Sequence, residues 1–450
     1  MTDTPLKQAR QARAWSQTRL ILELRAQAAS CGMTLPEPAS LKTQVSRWEN
    51  GHRPPDPMYQ RLLAQVYAQP ASSLGFVSAT DDNMAGVGIT YADTWTEGID
   101  HVTALWSLDV DRRTLLRGFL FSAAACGGPV LRWLVADDGE LVSRDSGSRL
   151  VRDVDIATIR NMTTAYRGLD NQHGGGSVRE SAVRYLHHEV APLLKEARFD
   201  KNFGGQLLQA TAELTQLVGW MTYDAADHGA AQRYLLQALR LAQAAGDRAL
   251  GAEILAAMSH QASYVGEGAT AVDLARAAGR TAREVGVPAL VAEAAVLEAQ
   301  GHATRADEAA CTKALTAAET ALDRADRAAD PQWISYFDEA YLSAKFGHCF
   351  KALGRPNQTA QFAERSLDMD PKYVRGRAFN LSLLATAHAE QGNVEAACTV
   401  GRQAAAIARQ LDSVRAVEYV SEVAGRLAPF AGQPDVDRFR CEARQLSAVA

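Results

Sequence analysis

The chain has 450 residues, 47% of them hydrophobic and 22% charged, the balance of a folded protein with length for two to four domains. Its net charge of −5 excludes a uniformly basic nucleic-acid coat, but residues 1–76 hold nine Lys/Arg against five acids, so the head carries +4 and the remainder −9. The cysteines (Cys31, Cys126, Cys311, Cys349, Cys398 and Cys441) form no CxxC pair, and MTDTPLKQAR lacks the apolar core of a signal peptide, which excludes a zinc-ribbon signature and points to a reduced, cytoplasmic location away from membranes.

In chain order, the first element is a basic helix at 5–14, PLKQARQARA. Ser16 is a cap for a second helix that opens at Gln17. That helix either extends to about Ser30 or gives way to an inserted loop in SCGMTLPEPA, where Pro36 and Pro38 favour a loop over about 31–39. A third helix follows in LKTQVSRWENG, residues 41–51, with Ser40 as its expected N-cap and Gly51 just past its end. At 100° per residue, Leu41, Val45 and Trp48 share one face. Thr43, Ser46, Arg47 and Asn50 point the other way, with Lys42 on the flank and Glu49 off that face. A fourth, apolar helix, MYQRLLAQVYA, comes after Arg53-Pro54-Pro55.

A helix of this kind fits the major groove, where Arg can donate two hydrogen bonds to guanine O6 and N7. By itself such a segment is more often an ordinary amphipathic helix with a solvated polar face. The order basic helix, Ser-Gln, VSRWENG, Arg-Pro-Pro, LLAQVY resembles the Cro/repressor-like (XRE) helix-turn-helix family. That resemblance implies that Gln17 caps a helix over a phosphate and that Lys42, Thr43 and Arg47 touch bases, with Gln44 and Ser46 as helpers. Asn50, His52 and Arg53 would then lie near the DNA backbone. The separation of Gln17 from Val45 is longer than the three- or four-residue turn of that family allows.

Residues 77–97 are small and polar and read as a linker; 98–177 read as a helical connecting region with helices near 110–125, 128–135 and 153–168. GFLFSAAACGGPVL, 118–131, is too short to span a bilayer and reads as a buried helix. GGGS at 174–177 reads as a flexible break. His187-His188, adjacent on a helix, point about 100° apart and are not expected to share a metal.

From 178 to 450 helical segments come in pairs. Glu213, Glu253 and Glu293 recur at a fixed interval in ATAELTQL, LGAEILAA and LVAEAAVL, which predicts a solenoid. Small and aromatic positions (Gly219, Tyr223, Ala231, Leu235 and Ala238, then Gly392, Ala397 and Ala404) resemble the tetratricopeptide repeat. Five pairs are expected, with a degenerate sixth over about 414–446. The fold class is thus all-α: an N-terminal helix-turn-helix domain (1–76), then an α-solenoid of helix pairs.

The groove of such an array would carry Glu213, Gln216, Trp220, Tyr223, Glu253, His260, Glu293, Gln300, Tyr341 and His348. The three glutamates could form an acidic strip suited to a basic or amino-terminal group, or could simply complement helix dipoles at about 0.3–1 kcal/mol each. No GxxxxGK[ST], HExxH or GxSxG occurs, so no catalytic residues, no metal and no cofactor are expected.

Through LWSLDVDRRTLLRG, GLDNQHGGG, AVRYLHHEVAPLL and WISYFDEAYLSAKFGHCF the chain also resembles streptomycete-type regulators with an XRE head and a tetratricopeptide array. That resemblance implies a developmental or antibiotic-production regulator, expected to be a repressor, similar to the peptide-sensing (quorum-sensing) regulators of Gram-positive bacteria. The expected partners are double-stranded DNA with a near-palindromic operator, a second copy in a homodimer, and a peptide or small-molecule effector. The alternative is a protein-interaction scaffold or antagonist that works through the array with little DNA binding.

Overall fold

A computed structural model describes residues 4–449 apart from 14, 31–34, 53–54, 68, 70, 76–85, 117–118 and 136–141. The chain divides into two units, Met1–Val87 and Gly88–Ala450. It is all-α, apart from a two-residue parallel pairing of Arg149–Leu150 with Ala197–Arg198 and an isolated bridge between Arg144 and Phe199 among the described residues. Among the described residues no helix is long and apolar enough to cross a membrane.

The first unit contains α1 (Pro5–Ala12), α2 (Gln17–Ser30), α3 (Pro38–Glu49) and α4 (Pro57–Tyr67). Thr4 starts α1: its hydroxyl accepts from the Lys7 N–H at 3.3 Å, and Pro5 takes the first-turn position where its missing N–H costs nothing. Ser16 caps α2 as expected, accepting from the Arg19 N–H at 3.1 Å. The second helix does extend to Ser30. The expected cap of α3 is corrected: Ser40 lies inside the helix, which begins at Pro38 after Glu37. Proline is preset for a first turn, so the residue that suggested a loop instead opens the helix. Asn50 ends it, with Gly51 left-handed at φ 70°. Leu41, Val45 and Trp48 are buried with Leu20, Leu24 and Leu63, and Trp48 packs on Tyr59 at 4.9 Å. Each such aliphatic side chain contributes about 1.5–3 kcal/mol by leaving water.

Of the expected linker at 77–97, residues 77–85 lie outside the described residues, and 88–97 belong to the second unit. Gln237 Nε2 donates to the Gly88 and Thr90 carbonyls at 2.8 and 2.9 Å, and Arg240 Nε to Ala92 at 2.8 Å. Polar side chains on the array thus satisfy a non-helical backbone that would otherwise lose its hydrogen bonds on burial. The expected connecting region (98–177) forms α5 (Trp95–Leu116), α6 (Ala124–Val135) and α7 (Asp153–His173); α8 (Gly175–Tyr185) and α9 (Ala191–Glu196), which fall where the array was expected to begin, precede its first long pair. It packs into the array's own unit and is no separate link. The buried pair Arg179–Asp109, with Tyr234 and Thr222 bonded to it, ties α5 and α8 to the array.

The run at 118–131 is only partly a buried helix. Residues 119–123 are irregular, α6 starts at Ala124, and Leu120 and Leu131 are exposed while Cys126, Pro129 and Trp133 point inward. Between α8 and α9 the chain takes a π turn, Leu186–Val190, where the rings of His187 and His188 meet edge-on at 4.7 Å.

The array follows as α10 (Lys201–Asp224) with α11 (His228–Ala245), α12 (Arg248–Tyr264) with α13 (Gly268–Val285), and α14 (Pro288–Thr304) with α15 (Glu308–Leu322). The last three pairs are α16 (Glu339–Ala352) with α17 (Pro356–Arg365), α18 (Val374–Glu390) with α19 (Val394–Ala408), and α20 (Val414–Arg426) with α21 (Pro434–Val449). Asp227, Asp247, Asp307 and Asp338 cap helix starts with their carboxylates. At Gly219 a Cβ would stand 3.0 Å from Leu235, which is why a small residue is needed where paired helices touch.

The two ends of the array meet. Arg375 on α18 binds Asp170 on α7 through two bonds, at 2.6 and 2.8 Å, and Asp224 on α10 at 3.2 Å. Ser413 donates to Asp224 at 2.9 Å. The GGGS segment, expected as a flexible break, is the joint of this closure. The Gly176 N–H donates to the Asp412 carbonyl at 3.0 Å, and the Asp412 N–H to the His173 carbonyl at 2.8 Å. A Cβ on Gly174 (φ 87°) would lie 2.6 Å from the Asp412 oxygen and one on Gly175 2.8 Å from the Met221 backbone, so glycine serves close approach here.

Candidate functional site

In the first unit the face of α3 is set by a buried acid. Glu49, 2% exposed, accepts from Arg10 Nε and Nη2 at 2.6 and 2.9 Å and from Gln17 Nε2 at 2.9 Å. The Thr4 hydroxyl donates to the Glu49 carbonyl at 2.8 Å. One carboxylate therefore fastens the end of α3 to α1 and α2. The side-chain amide of Gln17, the residue expected over a phosphate, donates to Glu49. Arg10 is an internal partner, and Arg13 likewise donates to the Val66 and Tyr67 carbonyls at the end of α4. The positive charge of α1 is spent largely on holding the bundle together.

The outward residues of α3 lie where the helical period put them. Lys42, Thr43 and Arg47 are exposed, and Gln44 and Ser46 are half-buried. Asn50 is exposed and donates to the Ser46 carbonyl at 2.8 Å, so its amide is partly engaged in ending the helix. His52 is exposed, and Arg53 lies outside the described residues. The face thus offers one guanidinium, one ammonium and small hydroxyls, with Glu49 turned inward.

The second unit holds a partly open cavity of about 250 Å³. Six of the expected groove residues line it: Gln216, Trp220, Glu253, His260, Tyr341 and His348. Four do not. Glu213 pairs with Arg167 at 2.8 Å outside it, and Tyr223 sits behind the wall. Glu293 lies behind Tyr336, and Gln300 is on no cavity wall.

The acidic strip does not form. Tyr336, from the irregular segment before α16, places its hydroxyl 2.9 Å from Glu253 and 2.7 Å from Glu293. One hydroxyl proton cannot serve two carboxylates. Burial first, and then the facing Glu293, push Glu253 well above the usual carboxylate range; burial pushes Glu293 up as well. Two ionised carboxylates at one dry site repel, so the pair keeps a proton. Neither glutamate is a dipole-capping residue at the surface.

The lining also brings in cations that the sequence reading passed over, beside the acids Asp170, Asp224, Glu253 and Asp338. Arg415 on α20 is 4% exposed and stacks on Tyr223, Tyr264 and Phe379, its guanidinium carbon 4.0, 4.8 and 4.9 Å from their ring centres. Lys345 on α16 is equally buried and lies 5.3 Å from the ring centre of Tyr341. Burial, and then Arg415, bring Lys345 down to about 7. His260 and His348 are pushed well below the usual histidine range, by burial first and then by neighbouring cations, and are neutral. Lys345 was legible in principle: it stands four residues after Tyr341 and three before His348, on one helical face. Arg415 carried no such signal, because it reaches the cavity only through the closure of the array.

Compared with protein-family models and with curated proteins, the chain matches none.

Proposed function

We propose that the protein is a sequence-specific DNA-binding transcriptional regulator of the helix-turn-helix kind, acting as a repressor, with its array as the sensing unit. The observation that carries this reading is α3, with Lys42, Thr43 and Arg47 outward and Leu41, Val45 and Trp48 buried. A helix with that face suits a major groove, and Arg47 suits a guanine edge. Two copies would bring two such helices about 34 Å apart, matching half-sites of a near-palindromic operator one turn apart. A ligand in the array changes DNA binding only if it favours one arrangement of the heads over another.

Selection of bound duplexes from a random library, followed by gel-shift titration, tests the reading. The expected result is a two-fold related motif whose binding falls steeply with salt. Arg47→Ala should lose about 1–3 kcal/mol of discrimination at one base position. Unselective binding that Arg47→Ala leaves unchanged would refute it.

A further inference from the structure

Two buried cations of the array, Arg415 and Lys345, stand apart from the paired Arg375. Among the described residues no ion pair or hydrogen bond engages the side chain of Arg415 or of Lys345, though both line the cavity. Arg415 Nε is fully buried and meets no acceptor. Asp224 accepts from Ser413, from the Gly175 N–H at 3.1 Å and from Arg375. Glu253 and Glu293 meet Tyr336 through one oxygen each, and neither forms an ion pair with Lys345 or Arg415. A guanidinium and an ammonium taken largely out of water without an ion pair of their own are costly to the folded chain, and a ligand anion would offset that cost. The surrounding wall is aromatic: Trp220, Trp333, Tyr341, Phe379 and Tyr419.

We propose that this cavity binds a compact organic anion, its carboxylate between Arg415 and Lys345 and its apolar body against Trp220, Tyr341 and Phe379. Arg offers planar paired donors that match a carboxylate, and the rings supply the apolar contact that drives entry. The volume lies just below the range of about 300–1,000 Å³ in which drug-sized molecules sit, which fits a small acid better than a peptide of many residues. A cationic ligand, the class that an acidic strip would have selected, meets like charge here. The inference deepens the reading of the array as a sensing unit and rests on it.

The test is calorimetric titration of the full-length chain, without DNA, with benzoate, cinnamate and octanoate, each against its own amide. At least one acid should bind about tenfold or more tighter than its amide, about 1.4 kcal/mol. Arg415→Gln should abolish that preference while the circular dichroism spectrum stays the same. Should Arg415→Gln fail to fold, Lys345→Met gives the same comparison, and it should weaken the preference. Equal binding of acid and amide, a preference unchanged in the folded variant, or no binding by any of the three acids overturns the proposal. The tripeptide Ala-Ala-Phe and its amide form a second arm, because a peptide C-terminus carries the same carboxylate. Tighter binding by the tripeptide than by every small acid overturns the small-acid assignment. Because no DNA is present, a failed operator selection and an empty cavity are separate results.

Discussion

The two units treat charge in opposite ways. The first packs an apolar core, turns Lys42 and Arg47 outward and buries one acid, Glu49, with all its partners supplied by neighbouring helices. The second buries charge at its centre. Some of it is matched, as in Arg375 with Asp170 and Asp224, and some is unmatched, as in Arg415 and Lys345. A matched buried charge acts as a fastening, because removing one partner strands the other. An unmatched one reduces stability and signals a use outside the fold. The contrast separates residues that hold the molecule together from those held ready for a partner.

The largest effect should come from a fastening in the array. Arg375→Ala strands Asp170 and Asp224 and should lower stability by about 3–5 kcal/mol, read by chemical denaturation of the full chain. Loss of less than about 1 kcal/mol would mean the closure contributes little. Next, Glu49→Ala should destabilise the first unit by about 2–4 kcal/mol, less than the array variant because Arg10 keeps some access to water. Proteolysis should then cut within residues 4–75 while the array stays intact. Cuts in both units at equal rates would contradict the division of roles.

Smaller effects separate surface and cavity charges. Arg47→Ala should change stability by less than about 0.5 kcal/mol, since its side chain is exposed, and act on DNA discrimination alone. Lys345 gives a pH signature. Its value falls from the usual lysine range to about 7 on folding. Between about 7 and 10 the unfolded chain therefore binds the extra proton, and stability contributed at this site rises with pH across that window. The wild-type chain should show this rise relative to Lys345→Met in unfolding titrations. A flat difference curve would place the ammonium in contact with water. An anion beside Lys345 favours its protonated form, so affinity for the acid should decline as pH climbs above 7, with proton uptake on binding visible as a buffer-dependent heat.

Several elements were legible because they depend on local rules. The stripe Leu41, Val45, Trp48 follows from the helical period, and the spacing of Glu213, Glu253 and Glu293 follows from the repeat, which places the helix pairs over 201–426. The start of α3 was misplaced by three residues, because Ser40 is a good cap and Pro38 a good first residue, and only the fold decides between them. The cavity was half legible. Gln216, Trp220, Tyr341 and His348 come from inward faces of regular helices. Tyr336 reaches the glutamates from an irregular segment, and Arg415 enters the cavity from the pair read as a degenerate sixth. Both depend on contacts between residues far apart in the chain, such as Arg415 with Tyr223, which no local period encodes.

The glycine joint at 174–176 carries one last consequence. An open repeat protein behaves like a stack of coins, which can gain or lose a coin at either end and can melt from the tips inward. Here α7, leading into the first pair, is bonded to α18 and to Asp412 just before the last pair. Such a hoop fixes its own number of members. Deleting or duplicating a single helix pair should leave residues 173–176 and 412 unable to find each other, so this lineage of sequences would be expected to vary in its side chains and not in its repeat count.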